Sequence, residues 1–464
     1  MRPGIELQGK RVLVVGLART GVATALFCAA RGALVTATEE RGADQMVDAA
    51  RQLREAGCTL EFGGHRAETF RKQDLIVPSP GVPAAHPGLA AARAAGIPIW
   101  SEIELAWHFL RGRLLAITGS NGKTTTTALV GHILAGAGIP SIVAGNIGTP
   151  LIARVGETND RSVTVVEVSS FQLEHIDSFR PDIAVLLNLT PDHIDRHGSF
   201  EAYGRAKARI FENQVQTDAA VINADDRVAA GYAPAKPQLF WFSRTKRVEN
   251  GASLDGDRIV FRRDGQETVL LDRADIGLRG EHNVENVLAA ASAAFLAGAA
   301  PAAIAAGVRS FPGVEHRLEF VAEIGGVNFF NDSKATNVDA TLKALDAFPS
   351  GLLVILGGKD KGSDYAPLAE PLRQRARQVL LIGAASEKIA AQLQGSVPLE
   401  SASTLERAVA LAFERARPGD TVLLAPACAS FDQFENYEHR GRVFKELVHA
   451  LEAARGSGAP GRKG

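Results

Sequence analysis

Short runs of β-branched and other apolar residues alternate with alanine-rich stretches of helical length along most of the chain. Residues 11–15 and 34–37 are the first such runs, and 114–118, 163–168 and 183–187 carry the pattern onward. Strand-length apolar runs separated by helical stretches predict parallel sheets covered by helices on both faces, an α/β architecture throughout. A chain of 464 residues is long enough for about three domains, each with its own core. The first unit closes near Trp100 and Trp107, so the first domain is expected to span 1–101. The Pro312-Gly313 pair precedes a fresh strand and helix series, which sets 102–312 and 313–464 as the second and third. Residues 287–308 carry no charge, but Gly298 and Pro301 interrupt them, so two packed helices are expected there and no membrane span. The tail from about Arg455 is glycine-rich and basic and is expected to be disordered.

Charge and cysteine usage narrow the functional classes. Lysine plus arginine (51) against aspartate plus glutamate (52) leaves a net charge of −1, so no global basic field is available for nucleic acid or an anionic membrane. Any anionic ligand must be held by local chemistry. The three cysteines, Cys28, Cys58 and Cys428, lie far apart with no CxxC, which points away from a disulfide framework or zinc site and toward a reducing cytoplasm. The N-terminus lacks the pattern of an export signal.

The strongest chemical signal is Gly119-Ser120-Asn121-Gly122-Lys123-Thr124-Thr125, which follows a strand and opens a helix. Such a loop aims backbone N–H groups and a helix N-terminus at one point, where phosphates can sit. Lys123 would reach the outer phosphates and the Thr124 hydroxyl a magnesium ion. Ile117 stands where the full GxxxxGK[ST] pattern requires glycine. Glu167 ends an apolar run and is either a metal-holding acid or an ordinary strand-end acid. Asp192-His193 follows the next run, where the histidine can serve a second magnesium or cap a helix. Near the start, Gly16-Leu17-Ala18-Arg19-Thr20-Gly21 has the shape of a dinucleotide turn, with Glu39 or Glu40 at the end of the next strand. It marks either a nucleotide-phosphate site or close helix–strand packing. In the last third, three polar clusters follow apolar strands: 332–337, 359–363 and 429–433. Lys334, Thr336, Lys361 and Ser430 in them suit an anionic small substrate.

Taken together, GSNGKTTT, EVSSFQLE, LTPDHIDRHGSF, GEHNVEN, His316-Arg317, DSKATN and PACASFDQF resemble the Mur ligase family of amide-forming ATPases in order and spacing, from residue 16 to 440. DSKATN points to the branch that adds D-glutamate, and the Asp-Asn-Pro-Arg motif of the diamino-acid branch is absent. The resemblance implies a Rossmann-like N-terminal domain for the UDP end of the substrate and a central P-loop ATPase-like mononucleotide-binding domain. A C-terminal Rossmann-like domain would deliver D-glutamate and close on ligand binding. It implies ATP, two Mg2+ sites and UDP-N-acetylmuramoyl-L-alanine as co-substrate, in a cytoplasmic enzyme for which nothing demands more than a monomer.

By position, the resemblance assigns Gly119 to Thr125 to the ATP phosphates, with Asn286, Arg317 and Asp332 at adenosine and phosphate. Leu17, Ala18, Arg19, Thr20, Glu39, Asn146 and His193 fall on the UDP-substrate side, and Lys334, Thr336, Lys361, Ser430 and Tyr437 on the D-glutamate side. Thr124, Glu167, His193 and a carbamylated Lys207 would hold metal. Read from its surroundings alone, Lys207 is a solvated helix lysine. Two residues depart from the family pattern: Tyr437 in place of phenylalanine, and Glu39 where many relatives have aspartate. Three other readings compete: a nicotinamide-dependent oxidoreductase, a folylpolyglutamate-type ligase, and a non-catalytic nucleotide-binding relative.

Overall fold

The computed structural model describes residues 4–146 and 148–456 and contains three sheets. The first is parallel, with strands β1 (Arg11–Val15), β2 (Leu34–Glu39), β3 (Thr59–Phe62) and β4 (Leu75–Pro78) in the order β3-β2-β1-β4. Its central strand β1 is apolar after the first residue, because helices cover both of its faces.

The second sheet has nine strands: β5 (Arg113–Thr118), β6 (Ser141–Gly145), β7 (Val163–Glu167), β8 (Ile183–Leu186), β9 (Ala219–Asn223), β10 (Gln238–Ser243), β11 (Gly251–Asp255), β12 (Arg258–Arg263) and β13 (Gln266–Asp272). Their order is β13-β12-β11-β10-β9-β8-β5-β7-β6. The third comprises β14 (Glu319–Ile324), β15 (Val327–Asn331), β16 (Leu352–Gly357), β17 (Ala376–Ile382), β18 (Leu399–Ser403) and β19 (Thr421–Leu424), ordered β14-β15-β19-β16-β17-β18.

Parallel pairing throughout does not hold at two places. Strands β11, β12 and β13 form an antiparallel meander, and β14 pairs antiparallel with β15. Each reversal is made by residues that accept positive φ: Gly256, Asp264-Gly265 and Gly325-Gly326. Asp-Gly and Gly-Gly between strand runs favour hairpin turns whose twist matches the strands, so this signal lay in the sequence beside a helix–strand pattern that dominated it.

Two compact units form. One comprises the chain through Gly277 together with Glu285–Phe311 and holds the first two sheets; the other comprises Leu278–Val284 and the chain from Pro312 on and holds the third. The uncharged stretch 287–308 is indeed two helices, Glu281–Leu296 and Pro301–Ser310. Among the described residues no helix is long and apolar enough to cross a membrane, and Cys28, Cys58 and Cys428 are buried and free. The last helix is Tyr437–Gly456, so of the expected disordered tail residues 457–464 lie outside the described residues.

Candidate active site

Strands β8, β5 and β7 are neighbours in one parallel sheet, so their carboxyl ends bring three candidate segments to a single edge. The turn after β5 is tighter than a full GxxxxGK[ST] loop, because Ile117 is a fully buried strand residue and the chain reverses only at Gly119 (φ 154°). Gly122 (φ 84°) caps the helix Lys123–Gly136, and a Cβ there would meet the Asn286 Oδ1 at 2.2 Å. Only glycine meets both demands. The loop is pinned from β8: Asn121 N–H donates to Asn188 Oδ1 (2.8 Å), Asn188 Nδ2 donates to Asn121 O (3.1 Å), and Ser120 N–H donates to Asn188 O (2.9 Å). Lys123 Nζ folds back onto the carbonyls of Gly119 and Ser120, at 2.8 Å each. Thr124 and Thr125 are buried, and the Thr125 hydroxyl lacks a hydrogen-bond partner.

Glu167 is the last residue of β7 and is buried; Asn146 donates to it from both its amide side chain (Oε1, 3.0 Å) and its backbone N–H (carbonyl, 2.9 Å). Asn146 also lines a cleft of about 620 Å³ with Leu17, Ala18, Arg19, Thr20 and Glu39, so the structure brings these sequence candidates together. Close packing and site formation are not alternatives at the first turn. A Cβ on Gly21 would lie 1.9 Å from Gly16 O, while the turn itself forms a cleft wall. Glu39, not Glu40, reaches the turn: its carboxylate accepts from Leu17 N–H (2.7 Å) and is paired with Arg41 (3.0 Å). Burial alone would raise this carboxyl, but the hydrogen bonds from Arg41 and Leu17 prevail and hold it at about 2. Reading by motif missed His65, His86 and the turn from Ser79 to Pro83, which line the cleft together with Gln172 of the EVSSFQLE run. The Ser-Pro-Gly run at the end of β4 was the only local signal of them.

The structure corrects the reading of Lys207 as a solvated lysine. It lies on the helix Phe200–Ala208 at 2% exposure, with its Nζ 4.7 Å from the centre of the Tyr203 ring. The Tyr203 hydroxyl in turn meets Ser120 Oγ at 3.1 Å, tying this helix to the loop after β5. Burial, and then the charge of Lys123, push the Lys207 amine well below its ordinary value against the opposing pull of Asp192 and Glu167. The charges of three other candidate side chains thus act on Lys207 at this edge. His193 precedes a short helix in a left-handed conformation (φ 53°), and its side chain makes no capping bond, so the capping role does not hold. Among the described residues no group of three or more His, Cys, Asp or Glu is placed to hold a metal ion.

Glu102 was not singled out by any motif, yet it is 1% exposed beside this region. Its Oε1 accepts from Ile152 N–H at 2.6 Å, and its Oε2 has no hydrogen-bond partner. Burial pushes its carboxyl up to about 7, against the ordinary 4.5. A carboxyl that binds its proton more tightly when folded contributes stability that is full below pH 4.5 and is lost as the pH rises through about 7. The loss amounts to roughly 3 kcal/mol. Glu102→Gln is therefore expected to raise the melting temperature relative to the parent more at pH 8 than at pH 5. Equal differences at the two pH values would refute the assignment.

In the second unit, β15, β19 and β16 are adjacent parallel strands whose carboxyl ends carry the three polar clusters. The clusters touch: Ala427 N–H donates to Ala335 O (2.9 Å), and Lys359 and Ala429 exchange backbone hydrogen bonds (2.8 and 3.2 Å). Lys334 Nζ donates to the Tyr437 hydroxyl at 3.0 Å, which gives that added hydroxyl a partner. Ser430 is buried, Thr336 is half-buried, and Lys361 stands exposed on its loop. Asp332 is buried 4.0 Å from Arg317; burial raises its carboxyl to about 6, opposed by Arg317 and Leu318 N–H. His316 and Leu318 flank Arg317 with φ of 64° and 43°, strained conformations for non-glycine residues of the kind that cluster at functional sites.

Comparison with known proteins accounts for all three sheets. Family models for a Mur ligase MurD-like N-terminal domain, a Mur ligase middle domain and a Mur ligase glutamate ligase domain match residues 10–101, 117–294 and 316–428. Proteins named UDP-N-acetylmuramoylalanine–D-glutamate ligase are similar over nearly full length. The one from Acidobacterium capsulatum is 55% identical over 97% of this chain and 98% of its own, and the one from Solibacter usitatus 55% over 97% and 99%. Among solved structures, UDP-N-acetylmuramate-alanine ligase of Thermotoga maritima shares the fold (TM-score 0.60, 20% identity, 95% of this chain and all of that one). FolC from E. coli, solved in complex with DHPP and ADP, shares it over 76% of this chain and 92% of its own (TM-score 0.57, 20% identity). The chain belongs to the Mur ligase family, alongside relatives named for D-glutamate addition.

Proposed function

We propose that this chain is an ATP-dependent ligase that joins D-glutamate to UDP-N-acetylmuramoyl-L-alanine, the reaction for which its 55%-identical relatives are named. The observation that carries the geometric side is the meeting of Lys123, Glu167, Asp192 and buried Lys207 at one sheet edge, linked through Asn146 to the cleft. We further assign residues 1–101 to the UDP substrate, 102–312 to ATP and 313–464 to the amino acid, in a cytoplasmic monomer.

A carboxylate is a poor electrophile until its oxygen becomes a phosphate leaving group. ATP therefore phosphorylates the alanyl carboxylate, and the D-glutamate amine displaces phosphate from the acyl phosphate through a tetrahedral intermediate. The loop 119–125 supplies N–H groups and the Lys123 ammonium to the phosphates. Asn286, which packs against Gly122, is assigned to the nucleotide; Arg317 and Asp332 are assigned to it by the family resemblance. Leu17, Ala18, Arg19, Thr20, Glu39, Asn146 and His193 orient the UDP substrate, and Lys334, Thr336, Lys361, Ser430 and Tyr437 receive D-glutamate. Magnesium prefers oxygen ligands, and the buried Thr124 hydroxyl at the head of the helix and the buried Glu167 carboxylate fit it. Bound there and at a second site, Mg2+ would neutralise charge on the reacting oxygens. A carbamylated Lys207, with His193, would hold the second ion; burial that favours the neutral amine supports this modification.

Phosphate release from ATP is expected only with UDP-N-acetylmuramoyl-L-alanine and D-glutamate together, and not with L-glutamate or L-alanine in place of D-glutamate. Release with another amino acid would move the specificity within the family. Release with a pterin substrate and L-glutamate would favour the folylpolyglutamate-type reading, and none from folded protein with magnesium and bicarbonate the non-catalytic one. The turn from Gly16 to Gly21, on which a nicotinamide-dependent reading rests, forms a wall of the substrate cleft here, and that reading leaves Lys123 and the three polar loops of the third sheet without a purpose.

A further inference from the structure

Arg440 is the largest fully buried side chain among the described residues, and no motif drew attention to it. It lies on the helix Tyr437–Gly456, beneath the three loops that end β15, β16 and β19. Its Nε donates to Ser333 Oγ (2.9 Å), and its Nη2 to Ser333 O (2.8 Å) and Cys428 O (3.2 Å). Its Nη1 also donates to Cys428 O (3.3 Å) and lies 3.2 Å from where a Cβ on Gly358 would stand. One guanidinium therefore ties the 332–337 and 426–430 segments together by hydrogen bonds and lies against Gly358, where a side chain would crowd it. Ser333 Oγ closes the arrangement by donating to Tyr437 O (2.8 Å).

The acceptors are all neutral oxygens. Buried arginines are ordinarily paired with carboxylates, because an uncompensated charge in the interior is costly. Asp432 favours the Arg440 cation through space, while its carboxylate accepts from Ala384 N–H (3.0 Å) and not from the guanidinium. Burial accordingly pushes the guanidinium down to about 10.

We infer that Arg440 is a positioning residue for the amino-acid substrate. It fixes the mutual placement of Lys334, Thr336 and Ser430, and its charge, which no carboxylate contacts directly, favours an amino acid with two carboxylates over one with a single carboxylate. The inference rests on the proposed assignment of these loops to D-glutamate. It is also specific: the other two substrates should not sense the change.

The test is a steady-state comparison of the full-length parent with Arg440→Gln, Arg440→Lys and Ser333→Ala, each checked for an unchanged circular-dichroism spectrum. Arg440→Gln is expected to raise KM for D-glutamate about 10-fold or more, with KM for ATP and for the UDP substrate within about 2-fold. Arg440→Lys keeps the charge but loses the fork, and should fall between the two. Ser333→Ala, which removes a single acceptor, should raise the same KM about 3-fold and carries the test should Arg440→Gln not fold. An unchanged D-glutamate KM in these folded variants would overturn the inference, as would parallel rises for all three substrates. Absence of D-glutamate-dependent turnover in the parent itself would instead overturn the functional reading beneath it.

Discussion

Lys123→Ala is expected to lower ATP-dependent phosphate release by roughly 10³-fold, about 4 kcal/mol of transition-state stabilisation. Gly119 and Gly122 allow a turn so tight that the lysine ammonium folds onto the carbonyls of Gly119 and Ser120, held at the mouth of a helix N-terminus. There it can exchange two carbonyl contacts for phosphate oxygens without leaving the loop. Its positive charge matters most as negative charge moves onto the leaving phosphate, so kcat should fall more than nucleotide affinity. Single-turnover phosphate release, set beside binding of a non-hydrolysable ATP analogue, separates the two. A loss smaller than tenfold would remove Lys123 from the chemistry. Lys123 also lowers the Lys207 amine through its charge, so the same variant should raise the apparent pKa of Lys207.

Lys207→Ala is expected to cost about 10²- to 10³-fold in turnover, partly restored by formate or acetate added at high concentration. Carbamylation requires a neutral amine. An ordinary lysine is almost wholly protonated near pH 7, but burial and the neighbouring Lys123 charge shift Lys207 well toward the neutral form. Because the folded-state value is depressed, the neutral fraction is reached at lower pH than for an ordinary lysine, and carbamylation, if Lys207→Ala is rescued as expected, should follow it. Activity of the parent should fall in buffers stripped of carbon dioxide and return with bicarbonate. Lys207→Arg should be inactive and beyond rescue, because guanidinium stays charged and cannot be carbamylated. Full activity of Lys207→Ala without any additive would exclude the modification as a working part.

The loop after β5, the acid ending β7 and the polar clusters of the third sheet were legible because each is local: a glycine, lysine or carboxylate immediately after an apolar run. The antiparallel strands β11 to β13 were legible in principle, through their Asp-Gly turn, but were submerged in the prevailing helix–strand rhythm. Glu102, Asn188 and Arg440 were not legible. Asn188 stands directly before LTPDHIDRHGSF and the other two lie outside any quoted motif, but each acquires its significance from a partner 50 or more residues away: Ile152, Asn121 and Ser333.

By itself, then, the sequence determined the α/β alternation, the tight glycine turn and which residue types stand at the ends of the strands, since these depend on backbone preferences and periodicity over a few residues. Only the tertiary structure decided that β8, β5 and β7 lie side by side, and so that Lys123, Glu167 and Asp192 act on one amine. It alone turned Lys207 from a solvated cation into a buried amine, because burial is a property of what packs over a residue. A side chain's charge state follows from the dielectric and the charges that the fold assembles around it, and strand order in the sheet, more than distance along the chain, fixes both.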